Sequence, residues 1–168
     1  MKHRRNSDTA KRLLLVCYGA FMLYLLFVRG RSAESDLPYW QAIKLNYNLV
    51  PFYTVFNYWD ILTRPEYYID KFGTYANYKA QAETAVINLI GNFVMFIPLG
   101  YFLPAVWKKL QKLWKTVLTG AGIIVLVEVA QLLSLRGYCD VDDLILNVCG
   151  IAVGYVLWRL AHFIHCKR

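Results

Sequence analysis

The chain has 168 residues, of which 58% are hydrophobic and 16% aromatic, and its formal net charge is +8. So large an apolar fraction leaves too few polar residues to cover a soluble globule of this length, which excludes an ordinary soluble domain. The basic residues flank apolar runs instead of forming one patch, so they indicate membrane topology and not nucleic-acid binding.

Four apolar runs predict an all-α membrane protein with four transmembrane helices. Each run is near the ~20 residues that a helix needs to cross a hydrocarbon core. They cover residues 13–28, 86–106, 116–135 and 142–162. The chain then divides into a basic leader, the first span, a long connecting segment and a three-helix polar core, at residues 1–12, 13–28, 29–85 and 86–168.

The charges on either side of these runs predict the orientation. Twelve Lys and Arg residues and one acidic residue, Asp8, fall with the two termini and the loop 107–115. Seven basic and ten acidic residues fall on the other side. Because basic loops stay in the cytoplasm, both termini are predicted to be cytoplasmic, while the segment 29–85 and the turn 136–141 are extracellular.

The first run also resembles the start of a secretory signal peptide, which likewise has a basic leader before an apolar stretch. A cleavage site near Ser32–Ala33 would place Arg29 and Arg31 where small residues are needed. A retained membrane anchor is therefore the preferred interpretation.

The connecting segment 29–85 is rich in aromatic residues, with thirteen rings between Tyr39 and Tyr78. Amphipathic rings favour the headgroup layer, so an interfacial cap with a short helix around residues 53–62 is expected. The alternative is that some rings stack on the sugars or rings of a cell-surface ligand. Gly73 and Thr74 predict a helix start, with Thr74 as the cap of a helix that begins near Tyr75.

Polar side chains in the last three spans fall on one helical face each. At 1.5 Å per residue, Asn92, Glu128 and Asn147 lie roughly 7–10 Å from the outer ends of their helices. A polar pocket that opens outward and sideways to the outer leaflet is therefore predicted. The alternative is that these groups only bond to one another between helices. The predicted ligand-binding residues are Asn88, Asn92, Glu128, Gln131, Arg136, Asp140, Asp143 and Asn147.

The carboxyl groups of this pocket allow three chemical interpretations. Asp140 and Asp143 share a helical face and are weak candidates for a divalent cation. Glu128, with Asp140 or Asp143, could do acid and base work or relay protons. The third interpretation is structural: Asp140 caps the fourth helix, Asp142 and Asp143 favour its positive end, and Arg136 pairs with one of them. No metal or other cofactor is predicted.

Glycines in the last spans predict close helix packing. Gly150 and Gly154 have the four-residue spacing that lets helices approach closely in lipid. Gly91, Pro98 and Gly100 indicate a kink or a close contact in the second span.

Four motifs in the chain resemble a known family. They are Asn48-Leu-Val-Pro-Phe52, the stretch from Asn88-Leu-Ile-Gly-Asn92 to Pro98-Leu-Gly100, Glu128-Val-Ala-Gln131, and Asp140-Val-Asp-Asp143 continuing to Asn147, Gly150 and Gly154. This ordered set is similar to the VanZ-like membrane proteins, over residues 46–160. The resemblance implies a small helical protein of the bacterial cytoplasmic membrane, in a family of which some members lower susceptibility to lipoglycopeptide antibiotics such as teicoplanin. It implies no reaction and no catalytic residue.

Three functions remain open on this basis. The first is binding or translocation of a membrane lipid, a lipid-linked cell-wall precursor or a lipoglycopeptide through the polar pocket. The second is an intramembrane enzyme that uses Glu128 with Asp140 or Asp143 on such a molecule. The third is a non-catalytic partner of envelope biosynthetic enzymes.

Overall fold

The computed structural model describes residues 2–28 and 37–166, with side chains for 9–28 and 37–164. The cleavage site considered at Ser32–Ala33 lies outside the described residues, as do the side chains of Lys2, Arg4, Arg5, Lys167 and Arg168. The described helices are α1 (Lys2–Leu23), α2 (Tyr39–Leu45), α3 (Tyr53–Thr63), α4 (Pro65–Phe72), α5 (Tyr75–Met95), α6 (Ile97–Val106), α7 (Leu113–Leu133) and α8 (Val141–Cys166). A π-helical turn, Tyr24–Val28, continues α1.

The prediction of four membrane-spanning helices is confirmed. Within the described residues, four stretches are long and apolar enough to cross a membrane: Thr9–Val28, Tyr75–Val106, Leu113–Leu133 and Val141–Ile164. Away from its ends, a helix satisfies its backbone hydrogen bonds internally, which is why such sequences span lipid as helices. The chain is thus a multi-pass, all-α membrane protein.

Helix α8 lies at the centre of the bundle, and α5, α6 and α7 all pack on it, α6 most extensively. The predicted glycine contacts are present. A Cβ atom on Gly150 would collide with the carbonyl oxygen of Phe93, and one on Gly154 would collide with that of Ile97. The buried apolar core lies among these helices and α1, at Met22, Phe96, Leu99, Leu103, Ile124 and Ile151.

The second span is interrupted between α5 and α6. The break falls at Phe96, and Pro98 occupies the first turn of α6, where its missing N–H costs no hydrogen bond. Gly100 lies against the backbone of Ile151 in α8, which confirms the close contact expected there. Tyr18 of α1 donates a hydrogen bond to the Met95 carbonyl at this break, over 2.7 Å, and so connects the first span to the bundle.

The aromatic segment contains three short helices between residues 39 and 72, where one had been expected. The predicted helix around residues 53–62 corresponds to α3, and α2 and α4 flank it. Gly73, in the left-handed region at φ 79°, ends α4. Thr74 caps α5 as predicted, since its side chain accepts a hydrogen bond from the Asn77 backbone N–H.

A short parallel pairing connects this segment to the start of α8. Strand β1 (Tyr47–Asn48) pairs with β2 (Cys139–Asp140), so that Asn48 lies opposite Asp140. The pairing brings the N-terminal parts of α3 and α8 to the same end of the bundle, where α5 also begins and α7 ends. We call this the cavity end.

Candidate ligand cavity

All eight residues predicted to bind a ligand line one cavity of about 560 Å³ at the cavity end. Two lie on α5, two on α7, one in the turn after α7, one at the end of β2 and two on α8. They are Asn88 and Asn92, Glu128 and Gln131, Arg136, Asp140, and Asp143 and Asn147. Their helical spacing turns each pair to one face, and the packing of α5 and α7 on α8 brings those faces together.

Other walls of the cavity come from residues to which the sequence analysis assigned no site role. Polar ones come mainly from the aromatic segment: Asn46, Thr54, Asn57, Tyr58 and Tyr138. Apolar ones come from the first span and from the deeper parts of the bundle: Leu25, Leu26, Phe96, Ile124 and Val127. The cavity is therefore amphipathic. In the sequence, only the Asn48–Phe52 motif pointed to this segment as part of the site. The sequence analysis used that motif for the family resemblance and did not predict that Asn48 would lie beside Asp140.

Asp140 acts mainly as an anchor. Its carboxylate accepts the Asp142 backbone N–H at 2.9 Å, which caps α8 as the structural interpretation predicted. It also accepts the Thr54 hydroxyl at 2.5 Å and the Asn48 amide at 3.4 Å. Because these bonds occupy both oxygens, Asp140 is a weak candidate for acid or base chemistry.

Asp142 is almost fully buried, at 1% exposure, and it holds the first turn of α3. Its carboxylate accepts the backbone N–H groups of Phe52, Thr54 and Val55, the last two at 2.8 and 3.0 Å. The start of a helix has unsatisfied N–H groups and a partial positive charge, both of which a carboxylate satisfies. Asp142 thus caps α3 from another helix.

Three of the predicted polar residues already have partners. Asn88 donates to the Tyr58 hydroxyl at 2.7 Å, and Gln131 donates to the Leu26 carbonyl at 3.0 Å. The Asn92 side chain bonds to the Asp143 carboxyl. The predicted ion pair of Arg136 with an aspartate is absent among the described residues, and Arg136 is exposed at the edge of the cavity. Structural bonding thus accounts for part of the polar set.

Two buried acceptor atoms have no partner within the described part of the chain. They are Oε2 of Glu128 and Oδ1 of Asn147. Asn147 is only 2% exposed, and both residues line the cavity. A buried acceptor without a partner costs about 1–3 kcal/mol. The expectation that these polar groups only satisfy one another therefore fails at Glu128 and Asn147, and a bound donor would recover that free energy.

The lining is electronegative. Glu128, Asp140 and Asp143 contribute carboxyl groups, and Arg136 is the one basic residue in the described lining. Burial, and then the carboxylates of Glu128, Asp140 and Asp143, raise the pKa of the Cys139 thiol beside the cavity. Burial and Asp140 likewise raise the pKa of Tyr138. This field favours a ligand group that carries positive charge.

A metal site has little geometric support. No group of three or more His, Cys, Asp or Glu side chains has metal-binding geometry among the residues that the structure describes. The carboxylates of Asp140 and Asp143, the weak metal candidates, are engaged by Thr54 and Asn92 respectively.

Comparison with known proteins identifies one family. The family model described as VanZ/LLP1 matches residues 14–162, which covers the first span as well as the four motifs. No curated protein and no solved structure matches the chain.

Proposed function

Because the chain belongs to the VanZ/LLP1 family, we propose that it is a teicoplanin-resistance-type protein of the bacterial cytoplasmic membrane that binds or translocates an envelope molecule. The ligand is a lipid-linked envelope molecule or a lipoglycopeptide, and the site is the cavity lined by Asn92, Glu128 and Asn147. The charge distribution along the chain favours an orientation in which the cavity end faces outward.

The observation that carries this proposal is the pair of buried acceptors without partners, Glu128 Oε2 and Asn147 Oδ1. Polar groups in a membrane are costly and are found where they pair or bind something. Here two such groups line a cavity of about 560 Å³, large enough for a lipid headgroup or a sugar. A structural role alone would leave their acceptor capacity unused.

The amphipathic lining supports a ligand that is itself amphipathic. Its polar part faces Asn92, Glu128 and Asn147, and its apolar part faces Leu26 and Ile124. Lipid-linked envelope molecules and lipoglycopeptides both combine a polar body with an alkyl chain. A soluble sugar or ion would leave the apolar wall without a partner.

Native mass spectrometry of the protein purified from bacterial membranes tests this function. We expect wild type to carry a lipid-linked envelope molecule and the Asn147→Leu variant to lose it, because leucine removes the amide at similar volume. Gln81→Leu changes an exposed amide on α5 outside the cavity lining and should behave as wild type. A wild-type protein without such a molecule, or equal retention by all three, would contradict binding in this cavity.

An enzymatic function is favoured by one observation, the free oxygen of Glu128 in a cavity that also contains Asp143. Glu128→Gln keeps the shape and an acceptor oxygen but removes acid chemistry. If the protein is a binder, cells with Glu128→Gln lose teicoplanin tolerance only as far as the variant loses bound ligand in native mass spectrometry, while the matched surface variant Glu83→Gln keeps both. Loss of tolerance in a Glu128→Gln protein that keeps its bound ligand, at unchanged protein level and thermal stability, would favour the enzyme.

A further inference from the structure

We propose that the cavity selects a membrane-anchored headgroup carrying a primary ammonium, which donates hydrogen bonds to Glu128 and Asn147. This inference deepens the proposed function and rests on it, since it names the chemical class of the ligand. Three observations support it: the two buried atoms without hydrogen-bond partners are both acceptors, the cavity lining is acidic, and Arg136 lies at the edge of the cavity.

Both open atoms are acceptors. Oε2 of Glu128 is a carboxyl oxygen and Oδ1 of Asn147 is an amide oxygen, and neither meets a donor from the described residues. A bound group with at least two hydrogens would satisfy both atoms. A primary ammonium offers three donors on one small centre, and its charge makes each bond stronger than a neutral one.

The charge of the lining selects a cation over a neutral donor. Three carboxyl groups face the cavity, at Glu128, Asp140 and Asp143, and a cation bound between them stabilises their ionised forms. A sugar hydroxyl or an amide could donate two hydrogens as well, but it would gain nothing from this field. An ammonium gains from both the acceptors and the charge.

A quaternary ammonium does not fit the open atoms. It has the charge but no N–H, so it would leave Glu128 Oε2 and Asn147 Oδ1 without partners. Sites for such groups surround them with aromatic faces. In the described lining the acidic and amide residues outnumber the aromatic residues, which are Tyr58, Phe96 and Tyr138.

Arg136 adds a second point of recognition. It is exposed at the edge of the cavity and forms no ion pair within the described residues. A guanidinium suits a phosphate, to which it can bond with two N–H groups. A phosphate linked to an amine, with an alkyl chain along Leu26 and Ile124, would satisfy the open acceptors, Arg136 and the apolar wall together.

The ammonium could come from an aminophospholipid or from the peptide of a lipid-linked wall precursor. Purified full-length protein is titrated with phosphatidylethanolamine and phosphatidylcholine of identical acyl chains, with bound lipid counted by native mass spectrometry. The same measurement compares a wall precursor whose peptide amines are free with one in which they are acetylated. A preference within the phospholipid pair would identify an aminophospholipid as the source of the ammonium, and a preference within the precursor pair would identify the peptide of a wall precursor.

We expect at least about tenfold tighter binding of the free-amine member of one pair, the loss expected for one hydrogen bond to a charged group. Asn147→Leu should lower that ratio, because it weakens binding of the free-amine member, as it does in the test of the proposed function. Glu83→Gln, at an exposed position on α5, should keep the ratio.

Equal binding within both pairs would overturn the ammonium inference and leave the proposed binding function standing. If none of the four molecules binds, the ammonium inference fails, and so does the part of the proposed function that names a lipid-linked envelope molecule as the ligand. If Asn147→Leu unfolds, Asn147→Asp serves instead: it keeps the acceptor and adds charge, so the amine preference should persist or increase. Loss of the preference in a folded Asn147→Asp protein would overturn the inference.

Discussion

The carboxylate of Asp142 accepts the backbone N–H of Phe52, although 90 residues separate them in the chain. Phe52 is held in the left-handed region, at φ 65°, which costs a residue with a Cβ roughly 1–2 kcal/mol. The bonds from Asp142 to Phe52, Thr54 and Val55 offset this cost. They fix the start of α3 against the start of α8, and so place Thr54 and Tyr58 in the cavity wall.

Asp142→Asn should release the start of α3. The amide keeps one acceptor oxygen but turns an NH2 group toward backbone donors, and each hydrogen bond lost to a charged acceptor costs roughly 1.5–3 kcal/mol. We expect a lower free energy of unfolding in detergent and faster amide hydrogen exchange at Thr54 and Val55. Asp70→Asn, at an exposed position on α4, is the control and should change neither quantity. Equal behaviour of the two variants would show that Asp142 does not anchor α3.

Gly154→Ala should push α8 away from the second span. The new Cβ would meet the carbonyl oxygen of Ile97, and backbone cannot move aside cheaply, so a loss of roughly 1–3 kcal/mol in stability is expected. Gly122→Ala on α7 is the matched control, because a Cβ there meets nothing within 4 Å. That change should stabilise the helix by up to about 1 kcal/mol. Thermal unfolding of both variants measures the difference, and a neutral Gly154→Ala would contradict the close packing.

The distribution of basic residues predicts that Tyr67 faces the outside and Lys112 the cytoplasm. Both side chains are exposed, so a cysteine at either position is accessible to a membrane-impermeant maleimide. In a protein whose four native cysteines are replaced by serine, Tyr67→Cys should be labelled on intact cells. Lys112→Cys should be labelled only after permeabilisation. Labelling of Lys112→Cys on intact cells would contradict the predicted orientation.

Alkylation of Cys139 should require a higher pH than alkylation of a free thiol. Burial and the carboxylates of Glu128, Asp140 and Asp143 raise the pKa of this thiol, and the thiolate is the form that reacts. At a given pH, Cys139 therefore has a smaller thiolate fraction than glutathione. Its rate of alkylation by iodoacetamide should rise at a higher pH than that of glutathione.

The test uses a protein in which Cys139 is the one remaining cysteine. Glu128→Gln removes one of the charges that raise the Cys139 pKa, so it should move the alkylation profile to lower pH. Lys79→Gln changes an exposed charge on α5, outside the cavity lining, and should leave the alkylation profile unchanged. A profile for Cys139 at or below that of glutathione would contradict an electronegative cavity.

Most of the site could be predicted from the sequence because it follows local rules. Apolar runs near the length of a bilayer crossing define helices, and a helix turns residues three or four apart to one face. For that reason Asn88 and Asn92, and likewise Glu128 and Gln131, could be assigned to one pocket before any packing was known. Gly150 and Gly154 could be assigned to a close contact by the same spacing.

The interactions that only the tertiary structure decided connect residues far apart in sequence. Asn88 bonds to Tyr58 of the aromatic segment, Gln131 bonds to Leu26 of the first span, and Arg136 remains without an ion pair among the described residues. A carboxylate offers the same atoms wherever it lies, so its sequence position could not show that Asp142 holds α3 while Glu128 keeps an open oxygen. That difference depends on which backbone N–H groups the fold brings within about 3 Å of each carboxylate.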